Sequence, residues 1–175
     1  MIQLSQGDIT QFSVDAIVNG ANSLLVPGGG VSSAIHRFGG PEIDNECAEW
    51  RDNHGLVKPG TAAITTAGDL HALCVIHAVG PVWTGGIADE ATVLADTYRA
   101  AMQLADERGL TSIAFPSLST GVFGYPIDQA APVAIDTLRE AIRSSRSVKD
   151  VTVVLFDQET YDTYEQALHE SLSPT

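Results

Sequence analysis

Positive charge is scarce in this sequence. Nine Lys and Arg stand against 22 Asp and Glu, a formal net charge of −13. Such a surface repels phosphate backbones and anionic lipid, which argues against nucleic-acid and membrane partners. If the ligand is an anion, backbone N–H groups and helix N-termini must do most of the neutralising. Cysteine is nearly absent as well. Cys47 and Cys74 are far apart and fit no metal or redox spacing, and a reduced, cytoplasmic setting is expected. No apolar run is long enough to span a bilayer. The opening "MIQLSQGDIT" lacks the basic and apolar regions of a signal peptide. There is no G-x-x-x-x-G-K-[ST] loop and no G-x-S-x-G elbow. Gly28-x-Gly30 begins a dinucleotide fingerprint, but Ser33 stands where its third glycine belongs. The five histidines are scattered and form no metal-ligand pair; neither metal nor cofactor is expected.

What is there is a chain of 175 residues, 44% hydrophobic and 18% charged, which suits one domain with a proper core rather than disorder. That domain is expected over residues 1–172, with 173–175, the end of "SLSPT", as a tail. A monomer is expected. Short apolar runs at Ile2–Leu4, Val14–Val18, Thr61–Thr65, Leu73–Ala78, Ser112–Phe115 and Val151–Phe156 read as strands. "LCVIHAV" and "VTVVLF" are almost continuously apolar, as strands covered on both faces are. Pro41 opens a helix that closes near Gly55. Val93, Thr97, Tyr98, Ala101, Leu104 and Ala105 stripe a second helix, with Gly109 as its stop. Ile127, Ala131, Ala134, Ile135, Leu138 and Ile142 stripe a third, which tolerates Pro132 only near its first turn. Tyr161, Tyr164, Leu168 and Leu172 stripe the last, with Asp157 as N-cap. This alternation predicts an α/β sandwich, with helices on both faces of a largely parallel sheet.

Two glycine loops carry the chemistry. "PGGGVSSAIH" follows the strand at Val14–Val18, and "PSLSTGVFGYP" follows the strand at Ser112–Phe115; each feeds a helix. Loops so placed aim peptide N–H groups at phosphates, at the sheet edge where open α/β sheets bind ligands. Either loop alone reads as a tight turn; two together in so acidic a chain favour a diphosphate. Asn19 and Asn22 suit a ribose hydroxyl pair or an Asx turn, and Asn19 takes the turn. Asp8 either accepts from an exocyclic amine or caps a turn. Phe156 either stacks on a base or belongs to the core.

The segments "GDIT", "DAIVNGANSLLVPGGGV", "AIHRFGG", "VIHAVGPVW" and "PSLSTGVFGYP" resemble the macrodomain family, especially its MacroD-like branch, in family order over nearly the whole chain. The resemblance implies a three-layer α/β/α sandwich around a mixed, mostly parallel six-stranded sheet. It implies binding of ADP-ribose and of mono-ADP-ribosylated proteins. It also implies hydrolysis of ADP-ribose from proteins or deacetylation of O-acetyl-ADP-ribose. By motif position, Asp8 and the Ile9 backbone would meet the adenine and Phe156 would pack on it. Gly28, Gly29, Gly30 and Val31 would line one side of the diphosphate, and Ser119, Thr120, Gly121, Val122 and Gly124 the other. Asn22 and Phe123 would meet the distal ribose; Asn22, Ser32 and Gly121 would form the reacting end.

Two departures matter. Gly20 replaces the first Ala of the family's "NAAN". Where hydrolytic MacroD-like members read "GGGVDGAIH", this chain reads "GGGVSSAIH", so Ser32 stands at the position of the family's proposed catalytic Asp. A serine hydroxyl binds no proton near neutral pH and cannot act as a general base; it positions water or ribose by hydrogen bonding. Either the substrate's own phosphate activates the water, or the protein is a non-catalytic reader of ADP-ribose. A phosphatase acting on phosphorylated ADP-ribose would leave no distinct trace. His36, one helical turn beyond Ser32, either assists or packs within the domain, and packing is the simpler reading.

Overall fold

The computed structural model describes residues 1–173; Pro174 and Thr175, and with them most of the tail expected at 173–175, lie outside the described residues. Six strands form one sheet: β1 (Ile2–Gln6), β2 (Ala16–Gly20), β3 (Thr61–Thr66), β4 (Cys74–Val79), β5 (Ser112–Phe115) and β6 (Asp150–Leu155). Their order is β1-β6-β5-β2-β4-β3. β3 runs antiparallel to β4, and every other neighbouring pair is parallel. The helices are α1 (Gly30–Gly39), α2 (Pro41–His54), α3 (Glu90–Glu107), α4 (Ile127–Ser144) and α5 (Gln158–Leu172). This is the mixed six-stranded sandwich that the motifs imply.

The layers follow from the period-2 alternation of the strands. Ala16 and Val18 of β2 face one core, together with Leu94 and Tyr98 of α3, Ile135 and Leu138 of α4, and Tyr164 of α5. Ile17, between them, faces a second core with Ile35 of α1 and Ile43 and Cys47 of α2. All six residues of β4 are buried, as a strand covered on both faces must be.

The strands are shifted by one or two residues at several ends from the sequence expectation, and three differences are instructive. β2 starts at Ala16 rather than Val14: the Asp15 N–H donates to the Ser112 hydroxyl (2.9 Å) instead of a strand carbonyl, and the Asp15 side chain is engaged beside it. Its Oδ2 accepts from the Thr111 N–H (2.8 Å), the Thr111 hydroxyl (2.9 Å) and the Ser112 N–H (3.3 Å), tying the start of β2 to the start of β5. Pro132 sits beyond the first turn of α4. It is exposed, as is Asp128 one turn earlier, so water can satisfy the carbonyl that the proline ring deprives of its helical donor. Leu172 does not join the α5 stripe; it is exposed at the helix end. Asp157 does cap α5, accepting from Thr160 N–H at 2.8 Å.

Asp106 near the end of α3 fastens the turn that leads into β6. Its Oδ1 accepts from the Ser145 hydroxyl (2.6 Å), Ser147 N–H (2.7 Å), Arg146 N–H (2.9 Å) and Ser147 hydroxyl (2.9 Å). The Ser145 hydroxyl, then the Ser147 and Arg146 N–H groups, hold this carboxyl well below the usual carboxylate range. A carboxylate whose folded pKa is depressed stabilises fully above its unfolded value, near 3.9, and loses that contribution as pH falls below it. Asp106→Ala should therefore melt below wild type at pH 7. The difference between the two melting temperatures should narrow below about pH 4, where the unfolded carboxylate is already protonated. A melting-temperature series from pH 7 to pH 2.5 checks this.

Candidate functional site

The loops after β2 and β5 leave the same sheet edge and meet. A methyl built at Gly29 would lie 3.3 Å from Val122 Cγ2, so the first loop touches the second. Beneath this contact run two cavities. One, of about 250 Å³, is lined by Asn22, Gly28, Gly29, Gly30, Val31, Ser32, Gly80, Ser119, Gly121, Val122 and Phe123, among others. The other, of about 560 Å³, is lined by Asp8, Ile9, Val31, Arg37, Phe38, Thr120, Gly121, Phe156 and Asp157, among others. They share Gly30, Val31, Pro116, Ser117 and Gly121 as a wall, so the two form one cleft with two ends.

The wall between them is mostly backbone. Gly30 opens α1 with a φ of 55°, a conformation that costs an L side chain about 1–2 kcal/mol and glycine nothing. Neither α1 nor α4 has a side-chain N-cap, so first-turn N–H groups at both helices are left to solvent or ligand. Gly121 has nothing within 4 Å of its would-be Cβ, which leaves the space beside it open to the cleft.

The smaller end holds the residues expected at the distal ribose. Asn22 lines it while bridging its own loop: Nδ2 donates to Val26 O (2.9 Å) and Oδ1 accepts from Val26 N–H (3.2 Å). Asn22 is therefore the turn-supporting asparagine. Asn19 is not, contrary to expectation: it is fully buried on β2, with its amide 3.0 Å from His77 Nδ1. Ser32, only 5% exposed, sits in the first turn of α1, and its hydroxyl accepts from Gly28 N–H at 3.4 Å. An alanine at Gly20 would stand 3.5 Å from Leu118 Cδ2, an ordinary contact, so that departure from the family pattern is sterically small. His36 lines neither cavity; its Nδ1 pairs with Asp44 of α2, and it packs within the domain.

At the larger end, Asp8 does two jobs. Oδ1 caps the turn at Ile9–Gln11, accepting from Thr10 N–H (2.9 Å) and the Thr10 hydroxyl (2.6 Å), while the residue lines the cavity. Phe156 is not core. It lies just past β6 and is 77% exposed on the cavity rim. Gly124 does not reach either cavity; with a φ of 73° it closes the second loop, donating to Gly121 O at 2.9 Å. Arg37 and Phe38 line this end without having been anticipated. Arg37 lies over the Phe38 ring, 4.7 Å from its centre, and Phe38 is largely exposed. The only sequence signal for them is their place within the "AIHRFGG" segment.

The second loop is held at its base by buried hydroxyls. Tyr98 of α3 accepts from Leu118 N–H (3.1 Å), and the Ser117 hydroxyl contacts those of Tyr164 (2.8 Å) and Thr120 (2.7 Å). From the side, the Trp83 backbone N–H donates to Phe123 O (2.8 Å), and the Trp83 ring packs 4.6 Å from that of Tyr125. Glu90, buried at the start of α3, gathers the Trp83 loop by accepting from Thr84, Gly86 and Ala88 N–H groups. Burial would raise its carboxyl pKa, but these N–H bonds outweigh burial and lower it.

Ser119 is the strained point of the site. Its φ is 66° and its hydroxyl is buried without a partner. A side chain at Gly80 would collide with it. Strained backbone and orphaned polar groups concentrate where a ligand completes the structure. Gly80→Ala should destabilise the fold by about 1–3 kcal/mol. Adding Ser119→Gly, which removes both the obstructing hydroxyl and the unfavourable φ, should recover most of that loss. Urea denaturation of the two single variants and the double variant measures the coupling.

Comparison with known proteins gives concordant matches. Residues 18–134 match the Macro domain family. The chain is 46% identical over 168 residues to O-acetyl-ADP-ribose deacetylase 1 of Pantoea vagans (strain C9-1), covering 96% of this chain and 98% of that protein. It is 47% identical over 167 residues to a Macro domain-containing protein of Cupriavidus necator, covering 95% and 96%. Among solved structures, an Oceanobacillus iheyensis macrodomain with ADP superposes with a TM-score of 0.92 at 38% identity, covering 97% of this chain and 90% of that one. The Trypanosoma brucei macrodomain in complex with ADP-ribose gives a TM-score of 0.87 at 35% identity, covering 95% and 68%.

Proposed function

Since the chain belongs to the Macro domain family, we propose that it binds ADP-ribose along the two-ended cleft and hydrolyses esters at the distal ribose. The substrates are mono-ADP-ribose linked to Asp or Glu of modified proteins, and O-acetyl-ADP-ribose. One observation carries this reading: two glycine loops flank a single cleft. Asn22, Ser32 and Phe123 line one end of it, and Asp8 and Phe156 the other. The name of the Pantoea relative and the ligands of the two solved macrodomains support it. On this reading residues 1–172 act as one domain, as a monomer, in the cytoplasm, where two free buried cysteines stay reduced. No helix among the described residues is long and apolar enough to cross a membrane.

In this assignment the adenine lies between Phe156 and the turn at Asp8, whose Oδ2 accepts from the exocyclic amine. The diphosphate lies along Gly28–Val31 and Ser119–Val122, neutralised by N–H groups and by the uncapped first turn of α1. Asn22 orients the distal ribose and Ser32 positions water. No carboxylate among the described residues lines the smaller cavity, so the base must come from the substrate. A diphosphate oxygen takes the proton of a water held against the ribose. With O-acetyl-ADP-ribose the water oxygen bonds to the acetyl carbonyl carbon, and the acyl C–O bond breaks with its electron pair on the ribose oxygen, which takes up the proton held by the diphosphate. With an Asp- or Glu-linked substrate the water oxygen bonds to the anomeric carbon, and the C–O bond to the protein's carboxylate breaks with its electron pair on the departing carboxylate. That leaving group is stable as an anion and needs no acid. Positioning can supply on the order of 7 kcal/mol or more of the barrier reduction.

A non-catalytic reader is the second reading, favoured by Ser32 at a position where hydrolytic relatives carry Asp. Incubation of the pure protein with an Asp/Glu-automodified transferase distinguishes the two. Release of free ADP-ribose supports the hydrolase. Binding without release from any ester, O-acetyl-ADP-ribose included, leaves the reader.

Two sets of variants test the assignment of residues. Gly121→Glu has room in the folded protein and should place a carboxylate against the diphosphate; ADP-ribose affinity and turnover should both collapse while the melting temperature stays near wild type. Ser32→Ala removes at most one positioning hydrogen bond, worth about 0.5–1.5 kcal/mol, and should keep about a tenth or more of the rate. Asn22→Ala should cost more, since it frees the reacting ribose and unties Val26 as well. Ester-linked ADP-ribose should be cleaved well, and serine-linked ADP-ribose, which needs an acid for its alkoxide, poorly. A folded Ser32→Ala protein that binds ADP-ribose but has lost all turnover would sink the substrate-assisted account.

A further inference from the structure

Three side chains with metal-binding chemistry converge on the α1–α2 side of the sheet, away from the cleft. A ring nitrogen of His36, a ring nitrogen of His77 and Cys47 Sγ all lie within 4.8 Å of one another. They come from α1, β4 and α2, all three are buried, and none lines either cavity. The hydrolysis proposed above gives them no task. The spacing of 36, 47 and 77 along the chain hides the cluster, which only the fold assembles.

Each imidazole is backed by a partner of the kind that orients a metal ligand. Asp44 lies 2.5 Å from His36 Nδ1, which fixes the proton there and leaves the Nε2 lone pair free. The Asn19 amide lies 3.0 Å from His77 Nδ1. With its nitrogen toward the ring, Asn19 leaves Oδ1 buried without a partner. Turning the amide over lets Oδ1 accept from His77 Nδ1–H and frees the Nε2 lone pair, with Nδ2 taking the unpartnered place. Cys47 Sγ stands 3.8 Å from that Nε2. A sulfur and a nitrogen bound tetrahedrally to one ion at about 2.3 and 2.0 Å are about 3.5 Å apart, so a shift of a few tenths of an ångström brings these two into range. The Thr65 hydroxyl, 2.9 Å from Nε2, has the Thr66 carbonyl at 2.9 Å as a second acceptor, so its proton keeps a partner if Nε2 turns to an ion.

We propose that His36, Cys47 and His77 form a buried site for one Zn²⁺-class cation, with the Thr65 hydroxyl oxygen beside it as fourth ligand. One thiolate and two neutral imidazoles select a borderline-soft ion over Mg²⁺ or Ca²⁺. On binding, the Cys47 S–H bond breaks, the sulfur electron pair bonds to the metal and the proton leaves to solvent. Without metal, burial pushes the Cys47 thiol up to about 11 and burial holds His77 neutral, down to about 3, so the bare cluster carries no charge of its own from these two groups. The ion would fasten α1, whose first turn supplies Gly30, Val31 and Ser32 to the cleft, to α2 and to β4.

The site is enclosed, so the test loads it during folding. The full chain is unfolded with chelator, refolded with Co²⁺ as a spectroscopic stand-in, and freed of loose metal by gel filtration. About one equivalent of Co²⁺ should be retained, with a thiolate-to-cobalt charge-transfer band and a melting temperature above that of protein refolded in chelator. Cys47→Ala, checked for folding by circular dichroism, should lose the band. Asp44→Asn alters a half-exposed side chain and should weaken the metal by about tenfold or more. If wild-type protein retains no Co²⁺, or shows no thiolate band, the site is refuted. Equal retention by folded Cys47→Ala would also refute it, by assigning the ion to the acidic surface. Should Cys47→Ala not fold, the wild-type band and the Asp44→Asn shift decide the question.

Discussion

Two ladder positions, Ala16 with Ile113 and Ile17 with Ala114, join β2 to β5, and the cleft depends on that short pairing. The strands are parallel and therefore deliver their following loops to one edge. From there the chains diverge: α1 turns to the face that holds Ile35, α4 to the face that holds Ile135. Divergence of this kind opens a crevice between two helix N-termini. Asp15 reinforces the join by accepting from Thr111 and Ser112 at the start of β5. If the pairing slipped by one residue, every side chain of β2 would change faces and the two glycine loops would no longer meet.

The two loops are held in unlike ways. The second is pinned by Tyr98, Tyr164 and Trp83, all rooted in the larger core or packed against it. The first is steadied nearer the surface, where Arg51 donates to Leu24 O (2.8 Å), Val57 N–H to Ser23 O (3.0 Å), and Asn22 closes on Val26. Local stability follows the number of buried contacts. The first loop is thus the softer wall, and the cation-bearing Arg37 and the rim residue Phe38 lie on the helix that it feeds.

Most of the architecture was legible because each strand's burial is written in its composition. Continuous apolar runs marked β4 and β6, and stripes of period 3.6 marked α3, α4 and α5. The glycine loops were legible as a pair since each sits between a strand and a helix. What escaped was side-chain traffic across long sequence distances. Asn19 looked like a turn residue because it ends a strand, but its amide points inward to His77 from a neighbouring strand. For Phe156 the sequence leaves base stacking and strand core open; the strand ends one residue earlier and leaves the ring exposed on the cavity rim. Arg37 and Phe38 were invisible since a helix's sequence does not reveal which exposed residues flank a cavity. The proximity of His36, Cys47 and His77 depends on the register of β4 and the docking of α2, which no local pattern encodes.

The outermost pairing of the sheet has a consequence for how the protein is made. β1 has β6 as its only strand neighbour, so Ile2 finds Val151 and Gly7 N–H finds Leu155 O at 3.0 Å. A nascent chain emerging N-terminus first cannot close that ladder until some 150 residues have followed β1. The lining of the smaller end stops at Phe123 in the chain, though Tyr164 still braces it through Ser117, whereas Asp8 and Phe156 at the larger end are separated by nearly the whole domain. The wall of the larger end is thus drawn from two parts of the chain far apart in sequence. A ligand that fills both ends meets the larger one only after β1 and β6 have paired, so its capture reports the closing of that outermost ladder.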